Sequence, residues 1–379
     1  MPPVVIDVAR ADDVRDVVHR AVQALAEGKI VALPTETVYG LGAAVTVPGA
    51  VQRLAEAKGR DAAKSPFAIA IKGYEEAVDF VPNWSPLAQR IARRSWPGPV
   101  TLVVEADHER GLTRQFDQAT RDLLCPTGTI GLRTPANRVI QDILRMLAGP
   151  IALTSVNLTG ESDATTAQQC LGLGDKVSLV IDDGPARYGQ ASSVVKVSGD
   201  EYKILREGVV SATTLSRLAR YQVVLVCTGN TCRSPLAEGL MRRKLATLLG
   251  CDDAELEERG VLVASAGVSA CSGAPASPET VEVLHELGVD LRGHQSQPLT
   301  EQLVRHADLL LTLTRSHRQA IVSNFPDASE RTMLLHPSGR DIADPIGGPL
   351  EVYRACAAEI AEGIEHYALR ILAEAKVSK

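Results

Sequence analysis

The sequence predicts an α/β protein with more than one domain. Short apolar runs, typical of buried strands, alternate with segments whose apolar residues recur at helical spacing. The length of 379 residues predicts two or three domains. The clearest unit lies at residues 223–241, where an apolar run, a tight polar loop and a helix opened by Pro235 follow one another.

The composition is that of a globular protein with an aliphatic core. Hydrophobic residues make up 45% of the chain and aromatic residues 3%, so Val, Leu, Ala and Ile must form the core. No stretch approaches the roughly 20 apolar residues of a membrane span, and no signal peptide is evident. Seven scattered cysteines without zinc spacing indicate free thiols, and the net charge of −6 gives no general reason to expect nucleic acid as the main partner. We therefore expect a cytoplasmic protein with no membrane contact and no metal bound by its side chains.

The loop after the apolar run 223–226 has the features of a phosphate-binding cradle. It lies at a helix N-terminus, where unpaired amides and the helix dipole favour an anion. The loop residues between Cys227 and Arg233 are Thr228, Gly229, Asn230, Thr231 and Cys232. A loop this short can wrap its amides around a tetrahedral oxyanion, while Arg233 closes the ring as a bidentate fork. The same groups favour a thiolate at Cys227 that attacks phosphorus, with Ser234 placed to hydrogen-bond the sulfur.

This motif, CTGNTCRSP at residues 227–235, resembles the signature of the low-molecular-weight protein phosphatases. Members of that family carry a general acid on an Asp-Pro loop far down the chain, and this chain has Asp344-Pro345 before a helical pattern. Proline restricts the preceding Asp to an extended conformation. The resemblance covers residues 221–375 and implies that Cys227 is the nucleophile, Arg233 the phosphate ligand and Asp344 the acid. The alternation of strands and helices there predicts a small doubly wound parallel sheet.

Three substrates are compatible with this fold. Tyrosine phosphatases of the family usually have a bulky aliphatic residue at the position of Thr231 and aromatic residues beside the Asp-Pro pair, where this chain has Ile346. The loop with Thr231 is similar to that of the protein-arginine phosphatases, and a hydroxyl there leaves less apolar wall for a phenol ring. Arsenate reduction would need two further cysteines close together, and the downstream cysteines are scattered. We therefore expect phosphoarginine in proteins as the substrate, with phosphotyrosine as the alternative.

Motifs rich in hydroxyls and cations occur in the first half of the chain. They are PTETVYGLG at 34–42, KGR at 58–60, IGLRTP at 130–135, TSVN at 154–157 and ASSVV at 191–195. Each by itself is typical of a turn or a solvated loop. Together, over residues 5–210, they resemble the YrdC-type L-threonylcarbamoyladenylate synthases. That family makes threonylcarbamoyl-AMP from L-threonine, bicarbonate and ATP for the modification of transfer RNA, which implies a twisted, open, mixed sheet with helices.

The resemblance also implies the ligands of those substrates. The implied threonine contacts are Thr35, Arg133 and Ser192, and the implied ATP contacts are Lys58, Arg60, Ser155, Asn157 and Arg206. Arg133 would hold the threonine carboxylate as a planar fork. The triphosphate would arrive with Mg²⁺ at Lys58 and Arg60. Asp163 departs from the family pattern, which often has Ser-Pro-Thr shortly after the motif at 154–157. An acid there would repel phosphate if it pointed inward.

We predict a synthase-like domain at 1–210, a linker or short helix at 211–220 and a phosphatase-like domain at 221–379.

The alternative for the first half is a double-stranded-RNA-binding module without catalysis. Its basic face would consist of Arg93, Arg94, Arg133 and Arg138. Partners from the transfer-RNA modification machinery, or RNA itself, are consistent with either interpretation.

Overall fold

A computed structural model describes residues 2–59, 66–156 and 162–376. The chain divides into two compact units, Met1–Leu218 and Ala219–Lys379. Within the described residues, the first unit contains a ten-stranded mixed sheet and the second a four-stranded parallel sheet, which confirms the predicted fold class. Arg60 and Asn157, both predicted to bind ATP, lie outside the described residues.

The first unit is built on its mixed sheet. Its strands are β1 (Val4–Asp7), β2 (Val31–Leu33), β3 (Gly40–Ala44), β4 (Ala68–Ala70), β5 (Val100–Glu105), β6 (Thr129–Arg133), β7 (Ile151–Ser155), β8 (Leu179–Asp182), β9 (Ser193–Ser198) and β10 (Glu201–Arg206). Its helices are α1 (Val14–Ala26), α2 (Ala50–Lys58), α3 (Tyr74–Phe80), α4 (Pro86–Ser95), α5 (Gln118–Leu124), α6 (Arg138–Met146), α7 (Ala167–Cys170) and α8 (Ala212–Ala219). The sheet order is β1-β8-β2-β3-β7-β4-β6-β5-β9-β10.

Helices α1 and α6 bury their apolar faces in one core with β2 and β7. Asp13 caps α1 by accepting from the amide of Arg15, and Asn137 caps α6 through Val139 and Ile140. Strand β3 needs its glycines, because a Cβ at Gly40 would lie 2.7 Å from Cδ1 of Leu153 on β7. The motif at 34–42 is therefore held close against the centre of the sheet.

The second unit is a doubly wound parallel sheet. Its strands are β11 (Tyr221–Cys227), β12 (Val261–Gly267), β13 (Leu309–Thr312) and β14 (Thr332–Leu334), in the order β12-β11-β13-β14. Its helices are α9 (Arg233–Leu249), α10 (Pro278–Glu286), α11 (Glu301–His306), α12 (Arg315–Asn324) and α13 (Leu350–Ala375).

Strand β11 shows why the sheet carries helices on both faces. All seven of its residues are buried. Val223 and Leu225 pack in the core formed with α9 and α13, whereas Val224 and Val226 pack in the core formed with α11 and α12. Successive side chains of a strand point to opposite faces, so an uninterrupted apolar run is what a strand buried on both faces requires.

Two local features differ from the sequence expectations. Helix α9 begins at Arg233, and Pro235 is its third residue, where the missing N–H still breaks no helical hydrogen bond. Strand β14 was not predicted, because three residues are too short for a recognisable pattern. The segment predicted as a linker or short helix contains α8, whose Leu215 is buried. Among the described helices, none is long and apolar enough to cross a membrane.

Candidate active sites

The cradle loop surrounds the sulfur of Cys227. Cys227 ends β11 and is buried, and α9 begins six residues later at Arg233. The amide of Asn230 donates to Cys227 Sγ over 3.2 Å, and Ser234 Oγ lies 2.9 Å from the same sulfur. The sulfur therefore lies at the floor of the loop, with a backbone donor and a hydroxyl beside it, as a thiolate nucleophile requires.

The conformation of the loop depends on Asn230. Its φ of +57° places it in the left-handed region, where an Asn is tolerated. Its buried Nδ2 donates to Ser234 Oγ at 2.9 Å and to Ser265 Oγ at 2.8 Å, while Oδ1 accepts from the amide of Gln297 at 2.8 Å. Ser265 in turn donates to Glu238 over 2.6 Å. The side-chain amide thus ties the loop to α9 and β12.

The predicted phosphate ligand and the predicted acid are paired. Arg233 is buried, and its Nη1 donates to the carbonyl oxygen of Ile342 at 3.0 Å. Its Nη2 forms an ion pair with Oδ2 of Asp344, whose side chain is 41% exposed. A buried guanidinium next to a partly exposed carboxylate leaves the carboxylate accessible for proton transfer. The chain thus brings residues 227, 233 and 344 to one edge of the sheet.

The remaining cradle residues differ in exposure. Thr228 is exposed and Thr231 is half-buried, and Thr231 Oγ1 lies 3.7 Å from Sγ of the buried Cys232. Ile346, two residues after the predicted acid, is 68% exposed. The cradle also needs Gly267 at the end of β12, because a Cβ there would lie 2.4 Å from the carbonyl oxygen of Thr228.

A second candidate site lies in the first unit. It is a cavity of about 680 Å³ on the sheet. Five of the predicted ligands line it, namely Thr35, Arg133, Ser155, Ser192 and Arg206. Lys58 is buried at the end of α2, and its Nζ donates to the carbonyl oxygen of Ser155 over 2.7 Å. The motifs 34–42, 130–135, 154–157 and 191–195 each contribute to this lining, and Arg206 joins them from the end of β10.

Arg133 and Thr35 are both held by the loop of the first motif. Arg133 Nη2 donates to Oε1 of Glu36 at 2.7 Å and to Oγ1 of Thr37 at 3.0 Å. Thr35 Oγ1 donates to the carbonyl oxygen of Val38 at 2.6 Å. The loop therefore positions a buried cation at the wall of the cavity.

Ser192 and Arg206 form another part of the lining. Arg206 Nε and Nη2 donate to the carbonyl oxygen of Ser192 at 3.1 and 2.8 Å, and Ser192 Oγ lies 3.0 Å from Thr101 Oγ1. Partial desolvation of the guanidinium lowers the pKa of Arg206, the negative charge of Asp163 opposes this shift, and the positive charge of Arg133 adds to it. The acid that departs from the family pattern thus acts on Arg206.

Comparison with known proteins decides the family of each unit. The family model described as "Low molecular weight phosphotyrosine protein phosphatase" matches residues 222–378, and the Sua5_yciO_yrdC model, described as "Telomere recombination", matches residues 23–208. A protein-arginine-phosphatase of Geobacillus stearothermophilus is 39% identical over 158 residues, which are 41% of this chain and 98% of that protein. A putative threonylcarbamoyl-AMP synthase of Mycobacterium tuberculosis is 32% identical over 199 residues, 52% of this chain and 87% of that protein. The chain belongs to both families.

Both resemblances predicted from the sequence are therefore confirmed. A solved structure of a P. abyssi Sua5 variant covers 88% of this chain and 98% of its own, with a TM-score of 0.51 and 22% identity, which shows a similar fold. We call the first unit the synthase-family unit and the second the phosphatase-family unit.

Sequence reasoning missed several residues of the phosphatase-family site. His294 Nε2 lies 2.8 Å from the carbonyl oxygen of Asn230 in the cradle. His317 Nε2 lies 2.9 Å from Oγ1 of Thr228. Ser265 and Gln297, which hold Asn230, were also missed. These contacts join residues far apart in the chain, and no local pattern signals them. In the synthase-family unit, Glu36 was missed although it lies within a quoted motif.

The basic face expected for an RNA-binding module does not form as predicted. Arg133 is buried and paired with Glu36, and Arg94 is buried with Nη1 donating to the carbonyl oxygen of Leu218 at 2.8 Å. Of the four arginines, Arg138 has a side chain that is 92% exposed. Two of the four charges are therefore inside the unit. Within the described residues, no group of three or more His, Cys, Asp or Glu side chains is arranged to hold a metal ion.

Proposed function

We propose that the chain is a bifunctional cytoplasmic enzyme. The phosphatase-family unit hydrolyses phosphoarginine in proteins, and the synthase-family unit forms threonylcarbamoyl-AMP from L-threonine, bicarbonate and ATP. The observation that carries the first activity is the position of Cys227 Sγ, 3.2 Å from the amide of Asn230 and 2.9 Å from Ser234 Oγ, next to the Arg233–Asp344 pair. Seven free cysteines support a reducing compartment.

The phosphatase reaction then takes two steps. The Cys227 thiolate attacks phosphorus, the P–N bond to the guanidino group breaks, and Asp344 donates a proton to the leaving nitrogen. Water next attacks the phosphorus of the phosphocysteine, Asp344 accepts its proton, the S–P bond breaks, and phosphate leaves with the thiolate regenerated. Arg233 and the loop amides stabilise the equatorial oxygens in both steps. Because the Arg233 guanidinium already contacts Asp344, binding of phosphate requires Arg233 to share its donors between the two anions.

Two residues support phosphoarginine as the substrate. Thr231 is half-buried in the cradle and presents a hydroxyl where a phenol ring would need an apolar wall. Ile346 is exposed beside Asp344 and offers no ring for stacking. The relative named protein-arginine-phosphatase supports the same choice. Phosphotyrosine is the second candidate, because it is the substrate in the description of the matching family model.

Side-by-side kinetics test the substrate. We expect kcat/KM to be higher for phosphoarginine peptides than for phosphotyrosine peptides of the same sequence, with Cys227→Ser as the blank. Thr231→Ile should shift the preference toward phosphotyrosine. Thr213→Ile is the matched control, since Thr213 is exposed on α8 in the other unit. A parent enzyme that prefers phosphotyrosine, and whose preference Thr231→Ile leaves unchanged, would overturn the assignment.

The cavity of the synthase-family unit supports the second activity. Its volume of about 680 Å³ is sufficient for a nucleotide and an amino acid, and the cations Arg133 and Arg206 in its lining suit anionic groups. We propose that Arg133 binds the threonine carboxylate and that Thr35 and Ser192 contact threonine. Arg206, Ser155 and Lys58 would bind ATP, with Mg²⁺ entering on the triphosphate.

These residues need supply no nucleophile. The carbamate oxygen of N-carboxylated threonine attacks the α-phosphorus of ATP, the bond to the bridging oxygen breaks, and pyrophosphate leaves. Catalysis then depends on alignment of the two substrates and on cations near the phosphates. The product would be used in the modification of transfer RNA, so we also propose partners from that machinery.

A release assay separates this proposal from an RNA-binding module. We expect pyrophosphate release from MgATP only when threonine and bicarbonate are both present. Arg206→Gln should raise the KM for ATP, while Arg217→Gln, at an exposed position of α8, should not. Affinity for double-stranded RNA without pyrophosphate release would support the module instead.

A further inference from the structure

A histidine from a neighbouring element contacts the cradle of the phosphatase-family unit. His317 lies in the first turn of α12, where its amide donates to Oγ1 of Thr314 at 3.3 Å. Helix α12 follows β13, which pairs with β11 in parallel, so His317 and the cradle lie at the same carboxyl edge of the sheet. His317 Nε2 lies 2.9 Å from Oγ1 of Thr228, the residue directly after the nucleophile. His317 is buried, whereas Thr228 is exposed.

The surroundings of the ring determine its protonation. Burial and then the positive charge of Arg233 lower the pKa of His317 to about 4, and the charges of Asp344 and Asp341 oppose this shift. The ring is therefore neutral near pH 7. Its Nδ1 is buried without a hydrogen-bond partner. Because a stranded buried N–H is rarer than a stranded acceptor, the single proton belongs on Nε2 and is donated to Thr228 Oγ1.

This donation limits what the Thr228 hydroxyl can do. A threonine hydroxyl has one donor and two acceptor lone pairs. With one lone pair used by His317, one lone pair and the O–H proton remain on the exposed side of the residue. The remaining lone pair can accept from an N–H group of a substrate. A guanidino group offers such N–H donors next to its phosphorylated nitrogen, whereas a phenyl phosphate has none.

We infer that Thr228 contacts the guanidino group of phosphoarginine and that His317 is the positioning residue that orients the Thr228 hydroxyl for this contact. The inference rests on the proposed phosphoarginine activity and adds a second polar contact to the one offered by Thr231. This role differs from a purely structural role of His317, because it requires the loss of kcat/KM in the variants to depend on the leaving group of the substrate.

The test compares two substrates in one set of variants. Thr228→Val removes the hydroxyl at an exposed position and should lower kcat/KM for a phosphoarginine peptide about tenfold, the usual effect of one lost hydrogen bond. It should lower kcat/KM for p-nitrophenyl phosphate by a clearly smaller factor. His317→Leu should reproduce this selective loss, and His317→Gln, whose amide can still donate, should restore most of it. The Thr228→Val, His317→Leu double variant should lose no more than either single variant.

The outcomes separate a wrong substrate from a wrong role of Thr228 and His317. A parent enzyme that hydrolyses p-nitrophenyl phosphate but not phosphoarginine overturns the proposed substrate and this inference with it. If the parent hydrolyses both substrates but the variants lose activity equally on both, this inference alone is overturned. Because His317 is buried, each variant is accompanied by its thermal unfolding midpoint. Thr228→Val remains decisive if His317→Leu does not fold.

Discussion

Arg133 donates from Nη2 to Oε1 of Glu36 over 2.7 Å, and both side chains are 7% exposed. The second carboxylate oxygen accepts from the amide of Ala136 at 2.9 Å, and Arg133 Nε donates to the carbonyl oxygen of Gly98 at 3.2 Å. The guanidinium is therefore fixed in position at the cavity wall before any substrate binds. A buried ion pair contributes little net stability, but the loss of one partner leaves an uncompensated buried charge.

Glu36→Gln is expected to destabilise the synthase-family unit and to weaken threonine binding. The amide keeps one hydrogen bond but removes the charge that compensates Arg133, so we expect a loss of about 1–3 kcal/mol in the free energy of unfolding. Urea unfolding measures the first effect, and the threonine KM in the pyrophosphate assay measures the second. Glu201→Gln, at an exposed position of β10, is the control. Unchanged values of both quantities would contradict the role of the pair.

Asn230→Ala is expected to lower the phosphatase kcat by about ten- to a hundredfold. The substitution removes the hydrogen bonds to Ser234 and Ser265 and puts a residue with a Cβ but no polar group at φ +57°. Asn230→Gly separates the two causes, because Gly adopts this φ without strain. If Asn230→Gly retained the parent kcat, the hydrogen bonds would have no catalytic importance. Asn324→Ala, at an exposed position of α12, is the matched control.

The buried His317 predicts a pH dependence of stability. Its pKa is lowered to about 4 in the folded protein, against the ordinary value of 6.5. The unfolded chain therefore binds more protons between these two values, so the stabilisation is fully present above pH 6.5 and is lost as the pH falls toward 4. The slope from this single group is at most about 1.4 kcal/mol per pH unit.

Urea unfolding of the parent and of His317→Leu at several pH values measures this contribution. Carboxylates titrate in the same range, so the informative quantity is the difference between the two proteins. We expect the difference in unfolding free energy to shrink as the pH falls from 6.5 to 4. A constant difference would mean that His317 does not titrate in this way.

Cys232 is expected to protect Cys227 from irreversible oxidation. Peroxide converts the Cys227 thiolate to a sulfenic acid, and the Cys232 thiol can then condense with it, releasing water and forming a disulfide that added thiol reduces. The structure buries Cys232 with Sγ 3.7 Å from the hydroxyl of Tyr353. Phosphatase activity after peroxide and then thiol treatment should recover in the parent and not in Cys232→Ser. Equal recovery would exclude this role, and Cys271→Ser, at an exposed position, is the control.

The two parts of the chain could be predicted to different depths. The parallel sheet of the phosphatase-family unit follows from apolar runs that are each local, such as the fully buried β11. The cradle is likewise contiguous, so its composition identified Cys227, Asn230 and Arg233 together. The synthase-family motifs are scattered, and only their combined resemblance to a family indicated a site. The order of the ten-stranded sheet has no local signal, since strands distant in the chain pair within it.

The sequence by itself determined the α/β class, the two families and the cradle, because strand runs, a helix N-terminus and the five-residue loop between Cys227 and Arg233 are properties of neighbouring residues. Only the tertiary structure decided which partners hold those residues. Glu36 with Arg133, Ser265 with Asn230 and His317 with Thr228 are contacts over 97, 35 and 89 positions of the chain. Such pairings arise from the order of strands and from close packing in the core, and a hydrogen bond formed in that way leaves no periodicity in the sequence.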